Sequence, residues 1–456
     1  LKVIVLVIDT LRADHLGCYE YERNTSPHID EFAKEATVFK NDIAADVPTQ
    51  PSFTNLMTGM RGITTGVVSH HPPETIDDSL PLLQELMSSK MTTAGVSTLY
   101  GMKKYFTKGF HYFMNPVAGA PQRLQLVYAE EVNHYALEWL KEHYREDFYM
   151  FIHYWDPHSP YEPPEQYREM FYRGDYRDPN NHSMDALKAT PLWQFHKWWV
   201  EKVAPGVTDV DYIRALYDGE IRRVDDAFGQ LVEELKELKI YDETMLVVTA
   251  DHGESIYDHG VYFDHADVYQ NIIRVPLIIR YPGVFPAKTV DGLVQNIDVT
   301  RTVLDIAKVQ HPPYEGINLL EVARGEAKPR DTAFSDQAVW TIKRTMIKAE
   351  GRHLYKLIVT YDPGFWPVPD REVYDLSSDP KETKNLAESN KRLLDDLELE
   401  LRRWEDSMLK GRVDPLRKIV EAGLPAKKWV QDVLARQEKA TYEELRNKID
   451  APKPAK

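Results

Sequence analysis

Lys2-Val3-Ile4-Val5-Leu6-Val7-Ile8-Asp9 opens the chain with a nearly continuous apolar, β-branched run that stops at a carboxylate. A strand with one wet face alternates apolar and polar residues. A run without alternation predicts a strand buried on both faces, as in the middle of a parallel sheet covered by helices. Phe148 to His153 and Met245 to Thr249 carry the same pattern, and the second ends just before Asp251-His252. Helical spacings lie between them: Ile29, Phe32, Ala33 and Ala36 behind Pro27 and a capping Ser26, then Ile213, Leu216, Ile221, Val224, Phe228, Leu231 and Leu235. This alternation predicts an α/β fold with a mostly parallel central sheet flanked by helices. Such sheets bind ligands at the carboxyl edge of their strands, where Asp9, Asp251 and His252 fall.

The next segment that matters is Thr49-Gln50-Pro51-Ser52-Phe53-Thr54-Asn55-Leu56-Met57-Thr58-Gly59. Proline suits the first turn of a helix and glycine the position after the last, so a short helix is predicted with Thr49 at its mouth. Backbone N–H groups and the helix dipole favour a phosphate or sulfate there. Threonine is also a good helix cap, and both uses stay open at this point. Asp9, Asp251 and His252 offer carboxylates and an imidazole, a mixture that favours Mn²⁺ or Zn²⁺ and also admits Ca²⁺ or Mg²⁺, with Thr49 Oγ as a further ligand. Coordination to a divalent ion is one way to stabilise the alkoxide of a hydroxyl that is almost wholly protonated at neutral pH.

Val3 to Tyr19, the Thr49 to Gly59 segment, Asp156-Pro157-His158-Ser159-Pro160-Tyr161 and Thr249-Ala250-Asp251-His252-Gly253-Glu254 occur in the order of the signature blocks of one family. The chain resembles the sulfatase branch of the alkaline phosphatase superfamily, and Tyr374-Asp375-Leu376 and Asp379-Pro380 extend the likeness towards the end. The resemblance implies a metal-dependent hydrolase of phosphoric or sulfuric esters, and strand-like pieces around Arg344 to Val359 followed by a helix with Leu394, Leu397, Leu401 and Trp404 on one face suggest a smaller C-terminal α+β subdomain. One departure bears on mechanism. Such sulfatases carry Cys-x-Pro-x-Arg, whose cysteine is oxidised to formylglycine; Thr49 and Phe53 stand in those places, which excludes formylglycine here.

A threonine at this position resembles the nucleophile of nucleotide pyrophosphatases/phosphodiesterases and phosphoethanolamine transferases. The preferred expectation is hydrolysis of phosphate or phosphonate esters, diesters included, through a covalent Thr49 intermediate. Formylglycine-independent sulfate-ester hydrolysis is the alternative; a phosphoryl transferase and a catalytically dead binding protein rank lower. The resemblance implies catalytic roles for His158 and His265. They act either as leaving-group acid and oxyanion contact, the preferred pair of roles, or as ligands of a second cation with His153 or Asp156. It also places His70, Arg61, Tyr100 and Lys103 in substrate-contacting regions. Thr10 stands where many sulfatases have a second aspartate ligand.

The formal charge of −16 argues against a nucleic-acid surface, which needs basic stripes. The expected partner is a small anionic ester drawn to a local positive site. No run approaches the ~18 apolar residues of a membrane span. A cytoplasmic address is the default expectation, with a trimmed signal peptide left open. The single cysteine, Cys18, excludes an intrachain disulfide. Composition divides the chain into a catalytic domain over 1–330, with an insertion at about 161–205 rich in Pro, Asp, Asn and aromatics, and a C-terminal subdomain over 331–456. The charged helical tail of that subdomain is a candidate surface for homo-oligomer formation.

Overall fold

The protein is described by a computed structural model covering residues 1–70, 76–120 and 126–436. In chain order the strands of the large sheet are β1 (Lys2–Ile8), β2 (Thr37–Ile43), β4 (Thr92–Val96), β5 (Tyr112–Met114), β6 (Phe148–Tyr154), β7 (Thr244–Ala250), β8 (Arg274–Arg280) and β9 (Lys288–Gln295). A smaller sheet contains β3 (Asp46–Val47), β10 (Thr332–Ala338), β11 (Ile342–Glu350), β12 (His353–Asp362) and β13 (Arg371–Asp375). The spatial orders are β5-β4-β6-β1-β7-β8-β2-β9 and β13-β12-β11-β10-β3.

β1 lies at the centre of the large sheet, parallel to both β6 and β7. Its unbroken apolar run serves two cores: Ile4, Leu6 and Ile8 face one, Val3, Val5 and Val7 the other. The expected parallel α/β sheet is therefore present, with one exception. β8 runs antiparallel to both of its neighbours, β7 and β2.

The Val210–Glu237 helix crosses one face of the sheet and packs on the Pro27–Ala33 helix. Ser26 does not cap that short helix, as its sequence position predicted. Asp225, from the long helix, accepts from His28 N at 2.9 Å and Ile29 N at 2.8 Å instead. A tertiary carboxylate has replaced the local cap, which the sequence spacing gave no means of seeing.

The aromatic segment after Tyr161 forms short helices at Glu165–Arg168, Asp185–Lys188 and Trp193–Val203. Trp199 is buried there, edge-on to Tyr161 and Phe263. Leu394, Leu397 and Leu401 of the Lys391–Leu409 helix pack with Phe334, Met346 and Leu357 of the small sheet. The end of the tail, beyond residue 436, lies outside the described residues.

Candidate active site

Parallel register assembles the site. Ile8 pairs with Ala250, so the next residues on the two strands, Asp9 and Asp251, emerge side by side at the carboxyl edge. Thr10 turns the chain with φ 54°, and its N–H donates to Asp251 Oδ1 at 3.1 Å. Tyr217 holds this turn from the long helix, donating to Thr10 O at 2.7 Å and accepting from Arg12 N at 3.0 Å. On the other side of β1, Val7 pairs with His153 of β6.

The Thr49–Thr58 helix meets the same edge with its N-terminus, and no side chain caps it. Ser52 Oγ donates to the Asp251 carbonyl at 2.6 Å and accepts from Asn296 Nδ2 at 3.1 Å, which pins the first turn against β7. Gly59 ends the helix with φ 66°, as expected of a glycine after the last turn. Thr49 Oγ consequently lies 3.2 Å from His252 Nε2. The capping alternative for Thr49 is thus not used.

Asp9, Asp251 and His252 are fully buried, and one ligand atom from each lies within 4.8 Å of the others. His252 Nδ1 donates to Gly253 O at 2.9 Å, so a neutral ring presents a lone pair at Nε2. That nitrogen faces Asp251 Oδ2 at 3.2 Å. Asp251 Oδ2 and Asp9 Oδ1 have no hydrogen-bond partner. Burial and the neighbouring Asp251 and Glu254 raise the Asp9 carboxyl well above its ordinary range, and burial pushes Asp251 up to about 8. Burial, then His265, drives His252 well down. Lone pairs facing one another without protons or cations are costly in a dry interior, and a divalent cation relieves that arrangement. The donor set fits such an ion.

His153 supports Asp9 from behind, with Nε2 3.2 Å from Asp9 Oδ2. Ser97 Oγ sits 3.1 Å from the opposite ring nitrogen, and burial lowers the imidazole pKa to about 3, so the ring is neutral. Phe53, in the family's arginine position, is buried edge-on against His153 at 4.7 Å. An aromatic ring therefore packs behind His153. Asp156 is directed elsewhere: its Oδ2 accepts from Ala129 N at 2.8 Å, at the start of the Ala129–His143 helix.

His265 lies beside the cluster, its ring centroid 4.3 Å from that of His252, and His158 follows at 5.5 Å from His265. Both imidazoles are lowered by burial. His158 Nδ1 donates to Ser159 O at 2.7 Å, leaving Nε2 as an acceptor. His265 Nδ1 meets Glu254 Oε1 at 3.3 Å. Glu254 is wholly buried, its carboxyl is pushed up to about 7 by burial, and Oε2 is unpartnered. Sequence reasoning includes Glu254 only as part of a motif and misses it as a site residue. Its distance of two residues from His252 is the signal that was available.

His70 lies close enough to His252 to depress that imidazole electrostatically. The Arg61 guanidinium is buried against Glu315 Oε2 at 2.8 Å and Gln295 Oε1 at 2.5 Å, so its polar contacts in this structure are internal. Tyr100 and Lys103 line an open cleft of about 730 Å³ with Lys104 and Lys108.

Residues 2–309 match the family described as sulfatase, and residues 258–406 match that described as N-sulphoglucosamine sulphohydrolase, C-terminal. The chain belongs to the sulfatase family. It is a hydrolase acting on sulfuric or phosphoric ester bonds. Choline-sulfatase of Rhizobium meliloti (strain 1021) is 21% identical over 434 residues, which cover 85% of this chain and 82% of that protein. The solved structure of a 2-O GAG sulfatase superposes with TM-score 0.69 at 20% identity, over 89% of this chain and 92% of that one. The phosphonate monoester hydrolase of Agrobacterium radiobacter gives 0.67 at 20% identity, over 89% and 96%. Among the described residues, no helix is long and apolar enough to cross a membrane.

Proposed function

We propose that the protein hydrolyses sulfate esters without formylglycine, using Thr49 as the attacking group. The observation that carries this reading is the Thr49 hydroxyl beside His252 Nε2 at an uncapped helix N-terminus. The sulfatase family match moves the preferred substrate from phosphorus, the sequence-based expectation, to sulfur. Phosphate and phosphonate esters remain a second reading on one chemical ground. A threonine ester cannot expel its group as a formylglycine hemiacetal does, and direct attack by water comes more readily at phosphorus.

Asp9, Asp251, His252 and Thr49 Oγ would hold a divalent ion, Mn²⁺ or Zn²⁺ by donor type, which lowers the hydroxyl pKa and offsets the charge of the ester. The chain's own groups then divide the work. Thr49 gives its hydroxyl proton to solvent, and Oγ attacks and forms the ester bond to sulfur while the bond to the leaving oxygen breaks. His265 donates the proton that oxygen needs from Nε2, and Glu254 returns a proton to Nδ1 from behind. His158 presents an Nε2 acceptor, held by its Ser159 contact, which suits it to take a proton from the water that releases Thr49. That role differs from the oxyanion contact expected from the sequence. His70 contacts the anionic group from the side of His252.

Turnover of matched aryl sulfate, aryl phosphodiester and aryl phosphonate substrates with added Mn²⁺ or Zn²⁺ tests the proposal. Sulfate turnover dominating the panel is the expected result; dominance of either phosphorus ester selects the second reading. Inactivity on all three sinks both.

A further inference from the structure

The segment after Phe263 carries His265 into the site, and its hydrogen bonds go largely to side chains of the small sheet. Gln337 Nε2 donates to His265 O at 2.8 Å, and Thr341 Oγ1 to Ala266 O at 2.8 Å. Lys343 Nζ donates to both oxygens of Asp267, at 2.8 and 2.7 Å, and Lys356 Nζ to Val268 O at 2.6 Å. Tyr269 OH donates to Glu372 Oε2 at 2.7 Å, and Gln270 N to Glu382 Oε2 at 2.7 Å. Six consecutive residues are held, four by strands of the small sheet and two by its connections, Thr341 between β10 and β11 and Glu382 after β13. Gln337, Thr341, Lys343 and Lys356 are fully buried.

We infer that the small sheet is the device that positions His265, with Gln337 as its principal positioning residue. Three features favour this over simple subdomain adhesion. The contact reaches the backbone of His265 itself. The Gln337 amide has one available orientation, because its Oε1 accepts from Val339 N at 2.8 Å while Nε2 serves His265. The same glutamine pairs across the sheet with Lys343 on one side and Val47 on the other, and Val47 lies two residues before Thr49. One residue thus joins the strand that leads to the nucleophile to the loop that brings the acid. Glu254 holds the His265 ring and Gln337 its main chain, so ring and backbone have separate partners.

This inference rests on His265 being the leaving-group acid, and the test separates the two claims. Gln337→Met removes the donor at nearly constant volume; Thr341→Val removes the neighbouring one; His265→Ala is the reference. Each is assayed on an activated aryl ester and a poor-leaving-group alkyl ester, and amide exchange is followed in the 263–270 peptide. Displacement of a reacting group by ~1 Å costs up to about 10²-fold, so Gln337→Met should lose roughly 10- to 100-fold on the alkyl ester and little on the aryl ester. Its 263–270 amides should exchange faster, and Thr341→Val should move both readouts the same way by less. A wild-type ratio of the two rates and wild-type exchange in Gln337→Met, alongside a shifted ratio in His265→Ala, overturn the positioning claim alone. An unshifted ratio in His265→Ala overturns the acid assignment and this inference with it. Should Gln337→Met fail to fold, Thr341→Val is measured by the same two readouts, and wild-type values in both overturn the positioning claim.

Discussion

Two clusters of buried charge lie near each other and obey opposite rules. At the carboxyl edge of the large sheet, Asp9, Asp251 and Glu254 are wholly buried, each keeps an oxygen without a hydrogen-bond partner, and burial raises all three carboxyls. Between the His265 loop and the small sheet, Asp267, Glu372 and Glu382 are equally buried but face ammonium groups. Lys343 Nζ lies 2.7 Å from Asp267 and 3.8 Å from Glu372 Oε1, an oxygen that makes no hydrogen bond but has this cation beside it, and Lys356 pairs with Glu382. Tyr269 and Tyr374 add hydroxyl donors to Glu372, each at 2.7 Å. A buried carboxylate is tolerated when it is paired, and several unpaired ones together need something the chain does not supply. The second cluster is a fastening; the first is a candidate receptacle for positive charge.

Substituting one carboxylate in each cluster should separate the two most visibly. Asp251→Asn should lose bound metal and at least about 10³-fold in turnover, since a cation supplies several kcal/mol to a developing anionic transition state. Elemental analysis and steady-state assays measure both. The same change removes a repulsion, so the cation-free variant should melt no lower than cation-free wild type. Asp267→Asn should do the opposite, stripping buried Lys343 of its bidentate partner and leaving it only Glu372 at 3.8 Å, at a cost of about 3 kcal/mol, read by denaturant unfolding. Similar melting behaviour in the two variants would erase the distinction between the clusters.

His265→Ala sharpens the first cluster's catalytic side: a loss of ~10²–10⁴-fold on poor leaving groups and far less on activated aryl esters. Equal losses on both would favour a metal-ligand role for His265. His153→Ala is expected to weaken metal binding by about 10- to 100-fold through Asp9, the usual effect of losing a hydrogen bond behind a ligand, measured by competition with a chromophoric chelator. A further effect is thermal. A cation present at 100 times its dissociation constant should stabilise wild type by ~2.7 kcal/mol and Asp251→Asn hardly at all.

The receptacle was legible in the sequence because its parts end continuous apolar strands, and parallel register then forces Asp9 and Asp251 together. Thr49 was legible from the proline and glycine that bracket its helix. Where a role depends on a distant partner, sequence spacing carries no signal. Arg61 follows the Thr58-Gly59 turn as a substrate contact would, yet Glu315 claims it from 254 residues away. Asp225 displaced the local cap for the same reason, and Gln337 acquires its role only through 72 residues of separation from His265. Antiparallel β8 also escaped, since a short apolar strand does not announce its direction.

The most direct test concerns the hydroxyl beside the receptacle. Protein quenched during turnover of an aryl ester, with Mn²⁺ or Zn²⁺ present, is digested and the Thr49 peptide weighed by mass spectrometry. A sulfuryl or phosphoryl adduct on Thr49 is the predicted result, absent from Thr49→Ala, with measurable turnover kept by Thr49→Ser because its hydroxyl survives. Near-wild-type turnover by Thr49→Ala, with no adduct on the wild-type peptide, would contradict it and hand the attack to water.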